Sequence, residues 1–106
     1  MNARPGAILL TLLAVATGAG AADPPPARSP ESIVRGTCIL CHGPGIGDAP
    51  RMGDTRAWSK RTARGLDALV RSAAEGKGAM PPRGGVPDLT EAELRAVVAY
   101  LSGATR

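Results

Sequence analysis

The chain's only two cysteines and its only histidine stand together, as Cys38-Ile39-Leu40-Cys41-His42, in a sequence of 106 residues. Any chemistry that needs a thiol or an imidazole is therefore confined to these five positions. Two residues between the cysteines place the thiols one turn apart on the same helical face, with the imidazole beside them. That spacing suits bonding of both thiols to the two vinyl-derived carbons of one haem, while the adjacent histidine directs a ring nitrogen at the iron. Three other uses compete for the same residues. A disulfide between Cys38 and Cys41 would close a tiny loop, which gains little from loop-closure entropy. A thioredoxin-like dithiol pair belongs in a βαβ setting, and no segment of this sequence reads as a strand. Zinc would need a fourth ligand of the nitrogen or sulfur type, and no other Cys or His exists.

The rest of the chain is short of the side chains that build cores. Residues 23–106 hold only fourteen Leu, Ile and Val, one Trp, one Tyr and no Phe. This large aliphatic content is below the roughly 20% under which disorder becomes the expectation. Ordering a backbone costs roughly 1–2 kcal/mol per residue, and so little apolar surface cannot offset that. Either the chain stays disordered or something other than protein completes its core. A covalent haem meets that need and agrees with the motif.

Residues 1–22 explain why the overall hydrophobic fraction of 43% misleads. Arg4 in a short polar start, the apolar stretch Ala7–Ala16 and the small residues from Gly18 to Ala22 follow the layout of a cleavable signal peptide, with cleavage expected after Ala21 or Ala22. The apolar stretch is about half of the ~20 residues needed to span a bilayer, and no cysteine near its end could accept a lipid. The sequence thus predicts an exported, soluble mature protein in the periplasm or outside the cell. Residues 23–29 form a Pro-rich lead-in, and residues 30–106 form one domain.

Within that domain Ser29 can cap a first helix with Pro30 in its first turn, and Ile33, Val34, Thr37, Leu40 and Cys41 are expected on one side of it. Residues 43–50 are too rich in Gly and Pro for helix or strand. Leu66, Leu69, Val70 and Ala73 have the spacing of one buried helical face, closed by Gly76. Thr90 and Glu93 form a capping box, Leu89 can staple against Leu94, and Leu94, Val97, Val98 and Leu101 make the last apolar stripe, with Gly103 after it. The predicted fold is all-α: three to five short helices and Gly/Pro loops wrapped around one haem.

A histidine-ligated haem in a small electron carrier commonly has a second axial ligand, and a methionine raises the reduction potential. Met80 lies between Gly78-Ala79 and Pro81-Pro82, where the prolines stiffen the loop, and stands 38 residues beyond His42, enough chain to reach the other haem face. Met52 and an open sixth position are the alternatives.

Together the Cys-x-x-Cys-His motif, the Met-Pro loop and the amphipathic last helix bearing Tyr100 resemble a class I monohaem cytochrome c. The short bacterial cytochrome c-five subgroup is the most similar. Its pattern is visible in Cys-His-Gly at 41–43, Gly47-Asp48-Ala49-Pro50, Gly53-Asp54, Trp58, Arg61, Gly65, residues 76–85 and Asp88-Leu89-Thr90. The resemblance covers residues 30–102 and implies thioethers from Cys38 and Cys41, with His42 proximal and Met80 distal. It also implies that the Pro50 carbonyl accepts the His42 Nδ1–H, and that Trp58 and Arg61 line the haem and its propionates. Core packing is the competing reading of Trp58, and a solvated charge that of Arg61. Val34 stands where the family often has an aromatic that packs on the last helix. A more easily loosened first helix is the expected result.

The charge is uneven. Residues 51–83 carry eight basic groups against Asp54, Asp67 and Glu75. This predicts a positive rim near the Met80 loop and weak, salt-sensitive docking to acidic surfaces of redox donors and acceptors. Two aromatics and an exported address exclude nucleic acid as a partner. The function so predicted is one-electron transfer by a monomer or by a subunit of a redox complex. No histidine remains for acid/base catalysis. A haem whose Met80 detaches, giving a peroxidase or gas sensor, and a periplasmic dithiol exchanger are the alternatives.

Overall fold

The computed structural model describes residues 2–15, 18, 20 and 26–104. The expected cleavage point at Ala21 or Ala22 and residues 23–25 of the lead-in lie outside the described residues. Among the described residues there is no strand, and no helix is long and apolar enough to cross a membrane.

Helix α1 (Pro30–Ile33) starts where the sequence predicts, with the Ser32 N–H donating to Ser29 Oγ. It runs straight into a π-helical stretch, Val34–Cys38, and then into α2 (Ile39–His42). The Ile39 N–H reaches back five residues to the Val34 carbonyl. That wide turn inserts one residue and shifts every later position around the helix. The face expected from regular spacing is therefore lost at Leu40, which is 67% exposed, while Cys38 and Ile39 pack on the core and His42 is buried.

Helix α3 (Thr55–Thr62) has no apolar stripe in its sequence and buries only Trp58, so periodicity does not announce it. Asp54 starts it by accepting from the Ala57 N–H at 3.0 Å. Helices α4 (Leu66–Glu75) and α5 (Glu91–Ser102) fall where expected. In α5 the capping box is complete: the Glu93 N–H donates to Thr90 Oγ1 at 3.0 Å and the Thr90 N–H to Glu93 Oε1 at 3.1 Å. Leu89 and Leu94 are both buried, as a staple requires.

Helix α5 is the centre of the packing, in contact with α1, α3 and α4. Val34 is the most deeply buried large side chain of the core, at 1% exposure. A second tie, absent from the sequence reading, joins the chain start to α5. Both Glu93 carboxylate oxygens accept from Arg28: its backbone N–H at 2.9 Å, Nε at 2.8 Å and Nη2 at 3.0 Å.

Candidate functional site

A cavity of about 430 Å³ opens between the helices, and the sequence-predicted residues converge on it. Cys38, Cys41 and His42 line it from the first helical run, Met80 from the loop after α4, and Trp58 and Arg61 from α3. Leu69, Ala73, Leu94, Val97, Val98 and Leu101 line it as well. These are the apolar stripes read as helix-packing faces. They face one another across the cavity because their side chains are too small to close it.

His42 is held by the loop that follows it. Its Nδ1 lies 2.8 Å from the Pro50 carbonyl oxygen, which can only accept. Nδ1 therefore carries the hydrogen, and Nε2 keeps its lone pair for a metal. The Met52 N–H donates to the His42 carbonyl at 2.7 Å, and Trp58 Nε1–H donates to the Arg51 carbonyl at 3.0 Å. Pro50 and Arg51 thus fix the two rings and Met52 the His42 backbone, and the rings stack with centroids 5.7 Å apart. Gly43 completes the turn because a Cβ there would come within 2.6 Å of the Ile39 carbonyl oxygen.

Cys38 is half-buried and Cys41 exposed, both as free thiols. Burial pushes the Cys38 thiol above its ordinary pKa, which keeps it protonated at neutral pH and makes it a poor partner for disulfide exchange.

Met80 sits in a tight loop closed by reciprocal backbone bonds, Lys77 N–H to the Met80 carbonyl at 3.0 Å and Met80 N–H to the Lys77 carbonyl at 2.9 Å. Gly76, at φ 86°, is needed there, since a Cβ would meet the Met80 carbonyl oxygen at 2.9 Å and the Pro82 nitrogen at 3.0 Å. Met52, the alternative, packs against the core and does not line the cavity.

Arg61 Nη1 donates to the Ala57 carbonyl of its own helix at 2.8 Å while the side chain lines the cavity. Arg64, Lys77 and Arg83 join it, with Asp48 the one acidic residue of the lining. The sequence shows these three only as part of a basic stretch.

A family model described as cytochrome c oxidase, cbb3-type, subunit III matches residues 25–101. Cytochrome c5 of Ectopseudomonas mendocina is 42% identical over 79 residues, which cover 73% of this chain and 91% of that protein. The chain belongs to the cytochrome c family. Two solved structures agree with the fold of this cytochrome. A chain in the crystal structure of an electron-transfer complex of nitrite reductase with cytochrome c superposes with a TM-score of 0.68 at 45% identity, covering 76% of this chain and all of the other. A mono-haem ferrocytochrome c from Shewanella putrefaciens gives a TM-score of 0.66 at 35% identity, covering 73% and 95%.

The cytochrome is a small class I monohaem protein that carries one covalently bound c-type haem with iron, and it is an electron-transfer protein rather than an enzyme. Its residues fit that group. Two thiols and an imidazole with a free Nε2 stand at one end of a helical run, a thioether lines the same cavity, and the walls between them are apolar.

Proposed function

We propose that the protein is an exported, periplasmic one-electron carrier whose haem is bonded through Cys38 and Cys41 and ligated by His42 and Met80. The observation that carries this reading is the convergence of both thiols, the free Nε2 of His42 and the Met80 thioether on one apolar cavity. When bound, the haem supplies a metal centre that changes by one electron at a potential set by its axial ligands and surroundings. The protein's share is positional. The Pro50 carbonyl holds the His42 tautomer and ring plane, the Trp58 ring backs that imidazole, and the loop closed on Lys77 presents Met80. The apolar lining excludes water, and Arg61 stands at the cavity as a counter-charge for propionates.

Absorbance spectra test the ligand pair. A pyridine haemochrome of the c type and a near-red iron–thioether band in the oxidised protein are expected, and Met80→Ala should abolish the band while Met52→Ala leaves it. A band that survives Met80→Ala overturns the assignment. Export is tested by the mass of the native protein, which should begin near Asp23; a chain retaining residues 1–22 overturns it.

Redox proteins with acidic docking surfaces are the partner class that this cytochrome fits. The basic residues Arg61, Arg64, Lys77 and Arg83 at the cavity support that, as does the complex that a relative forms with nitrite reductase. Association should be weak and fast, and its rate should fall as salt rises across about one Debye length of screening. Transfer rates that ignore ionic strength, or that are unchanged in Arg64→Glu/Lys77→Glu, overturn the charged interface.

A further inference from the structure

Arg83 adopts a backbone conformation that its neighbours explain poorly. Its φ is 56° and its ψ 27°, in the left-handed region, and it is followed by Gly84 and Gly85 at φ 62° and 80°. A glycine at 83 would take that conformation without steric cost, whereas an L side chain adopts it only when something outside the backbone holds it. What holds it is visible: Nη1 of Arg83 donates to the carbonyl of Leu89, the buried residue immediately before the Thr90 cap of α5.

The position of this bond matters because of what lies on either side. The loop that carries Met80 is anchored at its start by Gly76 and by the paired Lys77 and Met80 bonds. Beyond Met80 its other backbone bonds are local turns, Gly84 N–H to the Pro81 carbonyl and Val86 N–H to the Arg83 carbonyl. The Arg83 guanidinium is the side-chain bond that ties this far half to Leu89, the buried residue where the loop enters the cap of α5. A carbon added at Gly84 would lie 3.9 Å from Met80 Cε, so the turn made by residues 83–85 runs against the thioether's methyl group. Arg83 and Leu89 both line the cavity, and the bond crosses its wall.

We propose that Arg83 is a latch for the Met80 loop: its bond to the Leu89 carbonyl pins residues 81–85 to the buried entry of α5 and sets how readily the Met80 thioether leaves the iron. The inference rests on the reading of Met80 as an axial ligand. Arg83 acts through the loop and is a positioning residue, so the bond between sulfur and iron keeps its nature when the latch is removed. What changes is the population of loop conformations in which the sixth position can be reached from solvent.

The test uses the haem-loaded protein and added imidazole as a competing ligand. Arg83→Gly removes the guanidinium and also relieves the left-handed strain, so the variant should fold. Its near-red band should persist in the absence of imidazole. Imidazole should displace the thioether about tenfold faster or more, the scale of one lost charge-assisted hydrogen bond. Amide exchange at Gly84 and Val86 should rise in step, with α4 and α5 unchanged. Arg83→Lys keeps a donor on a long stem and should stay closer to wild type than to the glycine variant. Imidazole exchange and loop protection at wild-type rates in Arg83→Gly overturn the latch, and a lysine variant as labile as the glycine variant overturns the hydrogen bond as its agent. Met80→Ala in the Arg83 background separates the two readings: a near-red band that survives there means that Met80 is not the ligand, whereas loss of the band there with unchanged exchange in Arg83→Gly sinks the latch alone.

Discussion

Trp58 does two jobs that the sequence presents as alternatives. It belongs to the buried core at 7% exposure, and it lines the cavity with its ring stacked on His42. Both follow from one contact that residue type alone does not reveal, the Nε1–H bond to the Arg51 carbonyl. The partner lies seven residues back, on a loop whose path depends on how Pro50 and Met52 bond to His42, so no local pattern encodes it. Trp58→Phe keeps most of the ring and leaves the Arg51 carbonyl without its donor, which should cost about 1–3 kcal/mol in denaturant unfolding of the haem-loaded protein. Trp58→Ala also removes the buried ring and should cost about 3–5 kcal/mol. Equal losses for the two would mean that ring volume, and not the bond, decides. The same logic separates the other site residues. Cys38, Cys41 and His42 stand out in the sequence because their types and spacing are what the proposed haem attachment needs. Pro50 enters through a backbone carbonyl, to which side-chain identity gives no clue, and only resemblance points to it. Arg83 is one arginine among many until its φ is known.

At the scale of elements, legibility follows how local the cause is. Helices α4 and α5 are written in short-range signals: an apolar stripe ended by Gly76 in one, a capping box and staple in the other. Helix α3 is hidden because its burial consists of a single tryptophan, and the π-helical stretch is hidden because an added residue leaves composition unchanged. The Arg28–Glu93 tie spans 65 residues and joins a segment read as lead-in to the cap of α5. It makes the first helix dependent on a charge. Hydrogen bonds from the Arg28 side chain, then from the Thr90 and Arg28 backbones, hold the Glu93 carboxyl well below the usual carboxylate range. A carboxyl depressed in the folded state contributes stability that is present above its ordinary pKa, about 4.3, and is lost as pH falls through that value toward the folded one. Wild-type stability should therefore fall between about pH 5 and pH 3 more steeply than that of Glu93→Gln, which should start lower at neutral pH. Hydrogen exchange in α1 and the following π stretch should rise in the variant. Parallel stability curves for the two proteins, or unaltered exchange in α1, would remove Glu93 as the anchor. The valine at position 34, where the resemblance leads one to expect an aromatic, gives this anchor more to do, since the smaller side chain, though buried, brings less apolar surface into the core.

For the molecule as a whole, the shortage of large side chains and the cavity are one fact. Leu69, Leu94, Val97, Val98 and Leu101 belong to the core cluster and also line the cavity, so the core of this chain is the wall of its cofactor site. Unfilled, a space of about 430 Å³ lets water in between these walls, so the side chains that line it neither pack on one another nor leave solvent. Local signals in α4 and α5 favour helices but cannot hold them together against that, because isolated helices of 10–12 residues are marginal in water. The haem is thus part of the folding code, and the two thiols proposed to bond it would be folding residues as much as functional ones. Haem-free protein carrying Cys38→Ala and Cys41→Ala should consequently be largely disordered near neutral pH, with helicity well below that of the haem-loaded form and no cooperative thermal transition. Restoring bulk with large apolar residues at Ala73 and Val97 should recover part of that helicity without haem, since the deficit is one of volume. Cooperative, native-like helicity in the haem-free double variant would show that the protein closes its own core, and that the fourteen Leu, Ile and Val of residues 23–106 are enough to do it.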